Sequence, residues 1–181
     1  NDWRIGSSAL TNFVKHVNLN TDAAESDLAV AFNSTGPTSS VFSVGTSVST
    51  NADAGTYIAY CFSSIKGYSK IGNYTGNGNA DGTFVYTGFK PAMVMYKNTS
   101  QADDWFLSDS KRLGYNPDNH YLRPSLSAAE GDPPDRINLF SNGFKLTTSD
   151  KGANASGDVY IYMAFAENPF VTSTGVPATA R

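Results

Sequence analysis

Short apolar and aromatic runs, each stopped by Gly, Asn, Asp or Pro, constrain this chain more than any other feature. Residues 56–62 (TYIAYCF) and 159–165 (VYIYMAF) are continuous apolar stretches of strand length. Residues 40–48 (SVFSVGTSV) alternate through Val41 and Phe42, then Val44. Residues 82–89, 92–96, 105–107, 137–140 and 144–148 complete the set. β-Branched and aromatic side chains suit a pleated, half-buried surface, and runs this short read as strands. The continuous run 56–62 predicts a strand buried on both faces. Asn142-Gly143, between Phe140 and Phe144, predicts a two-residue hairpin turn with both central residues at positive φ. Helical signals are confined to residues 23–32 and 125–130, about a turn each. The chain reads as all-β.

An internal repeat organises these runs. Asp2-Trp3-Arg4-Ile5 is matched by Asp104-Trp105-Phe106-Leu107, and Phe42-Ser43-Val44-Gly45 by Phe140-Ser141-Asn142-Gly143. Asn51-Ala52 leading to Tyr57-Ile58 and Phe62 is matched by Asn154-Ala155 leading to Tyr160-Ile161 and Phe165. The matches are collinear at an offset of roughly 100 residues, the mark of two related units. The expected architecture is a β-sandwich with jelly-roll or Greek-key pairing. Residues 1–66 form a first, N-terminally incomplete repeat, residues 67–170 a complete second one, and residues 171–181 a C-terminal tail. The first repeat has no counterpart of residues 68–97. A missing strand pair leaves a bare sheet edge, so a neighbouring subunit or an earlier part of a longer polypeptide is expected to supply it. Positions present in both copies are expected in the core: Trp3 and Trp105, Phe42 and Phe140, Tyr57 and Tyr160, Phe62 and Phe165. Cys61, inside the 56–62 run, is expected to be a buried, inert thiol.

Composition narrows the function. Charged residues are 16% of the chain, well below the roughly 25% of an average soluble protein. Ser, Thr, Asn and Gly take their place, giving a neutral surface rich in hydroxyls and amides. The net charge is −3 and the 13 Lys and Arg are scattered, which excludes the basic stripe of a nucleic-acid binder. No run approaches the roughly 20 apolar residues of a membrane span. A single cysteine forbids an internal disulfide and a thiolate zinc site. His16 and His120 are isolated from one another. The chain begins at Asn1 with neither Met nor a signal peptide, which reads as a piece of something longer.

Residues found in one copy only are the candidates for binding. Residues 114–121 (GYNPDNHY) gather Tyr115, Asn116, Asp118, Asn119, His120 and Tyr121 in one loop. Aromatic faces flanked by amides and a carboxylate suit a sugar; an ordered surface loop turning at Asn116-Pro117 is the plainer reading. Residues 77–82 (NGNADG) imitate the first half of a calcium loop through Asn77, Asn79 and Asp81. The twelfth position is Gly88, where such a loop needs a bidentate Glu, so a polar hairpin loop is the favoured reading. Catalysis finds no support: there is no G-x-S-x-G elbow, no Gly-rich phosphate loop, and only three Glu from which to build an acid/base pair. Glycosylation-type tripeptides begin at Asn33, Asn73, Asn98 and Asn154, as an Asn/Ser/Thr-rich chain gives by chance.

Residues 67–89 (GYSKIGNYTGNGNADGTFVYTGF), continuing into Lys90-Pro91-Ala92, resemble a domain of uncharacterised function found near the ends of structural proteins in tailed bacteriophages, marine phages and cyanophages among them. Residues 139–146 (LFSNGFKL) and 160–170 (YIYMAFAENPF) carry the same likeness, and residues 57–72 are similar to the join between the two halves of such proteins. The resemblance covers most of the chain and is faintest over residues 1–35. It implies a virion setting, often a tail fibre, and brings no agreed catalytic or binding residues. The function it implies is a non-enzymatic module that binds host-surface polysaccharide or helps to build the fibre. The alternative is a capsid decoration, tail-wall or filament-forming protein. Fibres are usually symmetric oligomers, so the expected partners are copies of the chain, a trimer above all, and other virion proteins. Neither nucleic acid, membrane insertion nor a cofactor other than the candidate calcium is expected.

Overall fold

The computed structural model describes residues 2–112, 116, 120–131 and 135–168; the 171–181 tail lies outside the described residues. The chain is all-β, and every strand pair is antiparallel. Its first sheet joins β1 (Arg4–Ile5), β2 (Lys15–Asn18) and β3 (Ser26–Asp27). Two single helical turns follow, α1 (Ala29–Phe32) and α2 (Val48–Asn51). The remaining strands are β4 (Ser69–Thr75), β5 (Phe84–Tyr86), β6 (Pro91–Asn98), β7 (Trp105–Asp109), β8 (Tyr121–Leu122), β9 (Ile137–Phe140), β10 (Gly143–Leu146) and β11 (Val159–Ala166). They form a five-stranded sheet, β4-β11-β6-β7-β8, and a three-stranded sheet, β5-β10-β9. The chain passes between these two sheets at β4–β5, β5–β6, β8–β9 and β10–β11, which makes a sandwich.

β11 is the central strand, bonded to β4 on one side and β6 on the other. Its continuous apolar sequence follows from burial on both faces. Tyr160, Tyr162 and Ala164 face the three-stranded sheet, where they pack with Tyr74, Tyr96 and Phe106 against Ile137, Leu139, Phe144 and Leu146. Ile161 faces the other way, joining Trp105, Leu10 and Val17 in a second, smaller core under the N-terminal sheet. The five-stranded sheet is therefore the middle of three layers. Trp105 is buried here, and its indole N–H donates to the Asn18 carbonyl at 2.7 Å.

Several expectations fail in the N-terminal third. Residues 40–47 and 56–62 are not strands; neither pairs with a described strand, Gly45 and Ser47 bonding instead to the Ala31 and Val30 carbonyls of α1, and α2 forms where the first run was expected to continue. Trp3, Phe42, Tyr57 and Phe62 are exposed rather than core, and so is Phe140 on the outer face of β9. Cys61 is exposed too. The cause is common to residues 56–62: a strand is shielded by its neighbours, and no described strand pairs with this segment. Residues 125–130 are not helical: a turn ends at Leu126, and residues 127–130 are irregular. Of residues 23–32, only Ala29–Phe32 are helical, stopped by Asn33 at φ 53°. The β9–β10 hairpin turns at Ser141-Asn142, because Gly143 pairs with Phe140. Neither Asn142 nor Gly143 has positive φ. Glycine is required at 143 for another reason: a Cβ there would lie 2.2 Å from the Val85 carbonyl oxygen of β5.

Candidate functional site

The 114–121 loop leads into β8, and its described residues are held by protein partners. Asn116 clamps the outer edge of β9: its Nδ2 donates to the Leu139 carbonyl at 2.7 Å, and its Oδ1 accepts the Leu139 N–H at 2.9 Å. His120 Nδ1 lies 2.7 Å from Glu130 Oε1, and Glu130 also pairs with Arg112. The Tyr121 ring packs edge-on against Phe106, under the Arg136 guanidinium and over Gly131, where a Cβ would come within 2.4 Å of it. Tyr115, Asp118 and Asn119 lie outside the described residues.

The NGNADG loop holds itself together. Asn77 Oδ1 accepts the Asn79 N–H, Asn79 Oδ1 accepts the Asp81 N–H, and Asp81 pairs with Lys145, which holds its carboxyl below the usual carboxylate range. Among the described residues, no group of three His, Cys, Asp or Glu is placed to hold a metal ion. The loop is fastened by Asn154, which is fully buried. Its Nδ2 donates to Asn77 Oδ1 at 2.7 Å, to the Asn79 carbonyl at 2.8 Å and to the Thr148 carbonyl at 2.9 Å. Its Oδ1 accepts the Asn77 N–H at 3.0 Å. Asn98 is buried as well, its amide bonded to Lys151 and Asp158. Two of the four glycosylation-type asparagines are thus structural.

The turn that carries Asn154 occurs twice. Tyr160 Oη accepts the Ala155 N–H at 2.9 Å and donates to the Lys151 carbonyl at 2.7 Å. Tyr57 Oη accepts the Ala52 N–H at 2.8 Å and donates to the Val48 carbonyl at 2.8 Å. Asn51 Nδ2 donates to the Gly45 carbonyl at 2.8 Å, as Asn154 does to Thr148. The Asn51 N–H reaches the Ser47 carbonyl at 2.8 Å, and the Asn154 N–H reaches that of Asp150 at 2.8 Å. Ser47 Oγ takes the Ser49 N–H, and Asp150 Oδ1 that of Gly152. Every pair is related by one constant offset. Residues 45–57 and 148–160 therefore form one local structure in two copies.

Two features escape a reading of the sequence. The first is Lys97, wholly buried between the N-terminal sheet and β7. Its Nζ donates to the carbonyls of Asp22 at 3.0 Å and Asp103 at 2.7 Å, and burial pushes its pKa down to about 8. The second is an open cleft of about 370 Å³, lined by Ser64, Lys66, Lys70, Tyr86 and Thr87 with two glycines. Gly67 and Gly88 stand at φ 74° and 84° on its two walls. The Asn142 carbonyl fixes one wall by accepting the N–H groups of Thr87 and Gly88 at 3.0 and 3.1 Å. Among the described residues, Lys66 and Lys70 are the only Lys or Arg held by neither a carboxylate nor a buried carbonyl cage. A tally of charges in the sequence places neither of them in a cleft.

Among the described residues no helix is long and apolar enough to cross a membrane. No curated protein and no solved structure matches the chain. One family model, whose description is "Domain of unknown function (DUF7483)", matches residues 1–169, and the chain belongs to that family.

Proposed function

We propose that this chain is a non-enzymatic architectural module of a phage particle, set in or near the tail fibre, and that it joins neighbouring units by strand pairing along residues 57–62. One observation carries the reading: Tyr57, Ile58, Tyr60 and Phe62 are exposed, with only Trp3 stacked on Tyr60 and Phe165 edge-on to Phe62, on a segment of strand-forming sequence with no described partner strand. Exposed apolar runs of this kind mark protein–protein contacts. Light scattering across a concentration series tests it. The wild-type chain is expected to associate, and the doubly substituted I58K/Y60K chain to remain monomeric. A wild-type chain that stays monomeric, with Cys61 fully reactive to a maleimide at the highest concentration, refutes it.

Host-surface attachment is a second reading, supported by the Lys66–Lys70 cleft. Two free ammonium groups beside hydroxyls and the exposed Tyr86 ring suit an acidic sugar, by charge and by stacking. Tyr115, Asp118 and Asn119 belong to the same reading. An array of acidic and neutral polysaccharides tests it: binding restricted to acidic glycans and lost in K66Q/K70Q is expected, and no binding anywhere on the array refutes it.

A further inference from the structure

The duplicated turn says what should cover residues 57–62. In the second copy it leads into β11, whose residues correspond one to one with the exposed segment: Tyr160 with Tyr57, Ile161 with Ile58, Ala164 with Cys61, Phe165 with Phe62. The backbone enters both segments from the same hydrogen-bonded frame, yet the surroundings differ completely. Tyr160 is 0% exposed and Ile161 5%, whereas Tyr57 is 45% exposed and Ile58 73%. The β9–β10 hairpin and the N-terminal layer cover the two faces of β11, and three further things hold its edges and its turn. β4 and β6 flank β11 on its two edges. Tyr74 of β4 stacks flat on Tyr160, with ring centroids 4.8 Å apart and planes 4° from parallel. The Gly-Asn loop after β4 closes over the turn, where Asn77 exchanges two hydrogen bonds with the Asn154 side chain. That approach is close: a Cβ on Gly76 would lie 2.1 Å from the Ala155 carbonyl oxygen. In the first copy the frame is built and all three are lacking among the described residues. Asn51 keeps the bond to Gly45 that matches Asn154 with Thr148, and makes none of the bonds that match those to Asn77 and Asn79.

From this we infer that residues 45–62 are a preformed acceptor for a β-strand pair of the β4/β6 type, carried by another polypeptide segment. That segment has an aromatic residue placed to stack on Tyr57, and a Gly-Asn-Gly-like loop placed to exchange hydrogen bonds with Asn51. Completion would convert residues 57–62 into a central strand, the counterpart of β11. A second folded copy does not supply this strand pair, because its own β4 and β6 already hold its own β11; copies of the isolated chain associate only edge to edge along residues 57–62, a contact that the donor pair displaces. Main-chain pairing would supply affinity, and the Tyr57 and Asn51 positions specificity.

This rests on the architectural reading above and narrows it. The chain's own donor sequence provides the probe: a synthetic peptide of residues 67–98, labelled with a fluorophore and titrated with the full chain. Saturable 1:1 binding is expected, with the amides of residues 57–62 slowed in hydrogen exchange and Cys61 shielded from a maleimide. I58K/Y60K should weaken binding at least tenfold. N51A in the chain, or Asn77→Ala in the peptide, should each weaken it severalfold, and the two together no more than either alone. Absence of binding, equal binding to I58K/Y60K, or a bound peptide that leaves Cys61 fully reactive overturns the inference. Self-association of the chain that the peptide fails to displace would overturn it while leaving the architectural reading intact. Failure of both self-association and peptide binding would remove both.

Discussion

Replacing Asn154 or Asn51 by Ala removes the same side chain from two copies of one turn, and their surroundings assign the two changes very different costs. Asn154 is fully buried and serves the Thr148 carbonyl, the Asn79 carbonyl and both the N–H and Oδ1 of Asn77. Asn77 Oδ1 keeps the Asn79 N–H after truncation, so three partners lose a bond they do not otherwise make. At about 1 kcal/mol for each lost bond, and more where a buried group is left unsatisfied, N154A should cost about 3–4 kcal/mol. Asn51 is exposed and loses only its one bond to the carbonyl of buried Gly45, so N51A should cost about 1 kcal/mol. Equilibrium unfolding in urea, followed by tryptophan fluorescence, measures both, with unchanged m-values as the check that the transition is the same one. A gap smaller than about 1 kcal/mol, or N51A as the worse of the two, would mean that the loop over Asn154 contributes nothing a solvated turn lacks. The acceptor argument for residues 45–62 would then lose its footing.

Two pH dependences follow from the buried cations. Lys97 is held near pKa 8 in the fold and titrates at its ordinary value of 10.5 when unfolded. Between those values the unfolded chain binds the extra proton, so stability should rise with pH above about 8, by up to about 2 kcal/mol near pH 10. Above about 10 the sign reverses, because Tyr74, Tyr96 and Tyr160 are raised by burial and ionise only in the unfolded chain. K97M should abolish the rise and keep the fall in melting temperatures taken across this range; a rise that survives refutes the assignment. His16 is buried, its Nδ1 bonded to the Ser26 carbonyl and its Nε2 to Arg4, and burial and then the Arg4 charge lower its pKa. Its folded value lies below the unfolded one, so stability should fall as pH drops through about 6.5. H16Q should flatten that slope in urea titrations between about pH 7 and 5, and an unaltered slope would assign it to other groups.

The second half of the fold was legible because its strands alternate or run apolar where the sheets need them to. Tyr160, Tyr162 and Ala164 meet one core and Ile161 the other, so the unbroken apolar run VYIYMAF states its own double burial. The N-terminal sheet left almost no signal, since β1 and β3 are two residues each and pair through Arg4, Ile5, Ser26 and Asp27. The aromatic loop was legible as chemistry and not as geometry. Tyr121 and Asn116 have the side chains of a sugar site, yet one fills the space over Gly131 and the other clamps β9. The cleft went unseen because Lys66 and Lys70 approach Tyr86 only through the packing of the sheet that carries β5 on the sheet that carries β4.

The failure at residues 56–62 is the more instructive one. β-Propensity is the fit of a side chain to neighbours on a sheet, and the sequence of one strand does not contain its neighbours. TYIAYCF and VYIYMAF are near-equivalent strings that leave near-identical turns, and one is a central strand while the other stands in solvent. The difference lies in the neighbours: β4 and β6 flank one on its edges and two further layers cover its faces, and no described strand pairs with the other. β4 itself is guarded against stray pairing: the Ser64 hydroxyl accepts the Ile71 N–H at 3.0 Å and donates to the Ile71 carbonyl at 3.3 Å, closing the middle of that edge. No such guard is described along residues 57–62. One edge of the chain is blunted by a single hydroxyl while an adjacent apolar run stays unpaired among the described residues, the contrast on which the proposal of a covering segment rests.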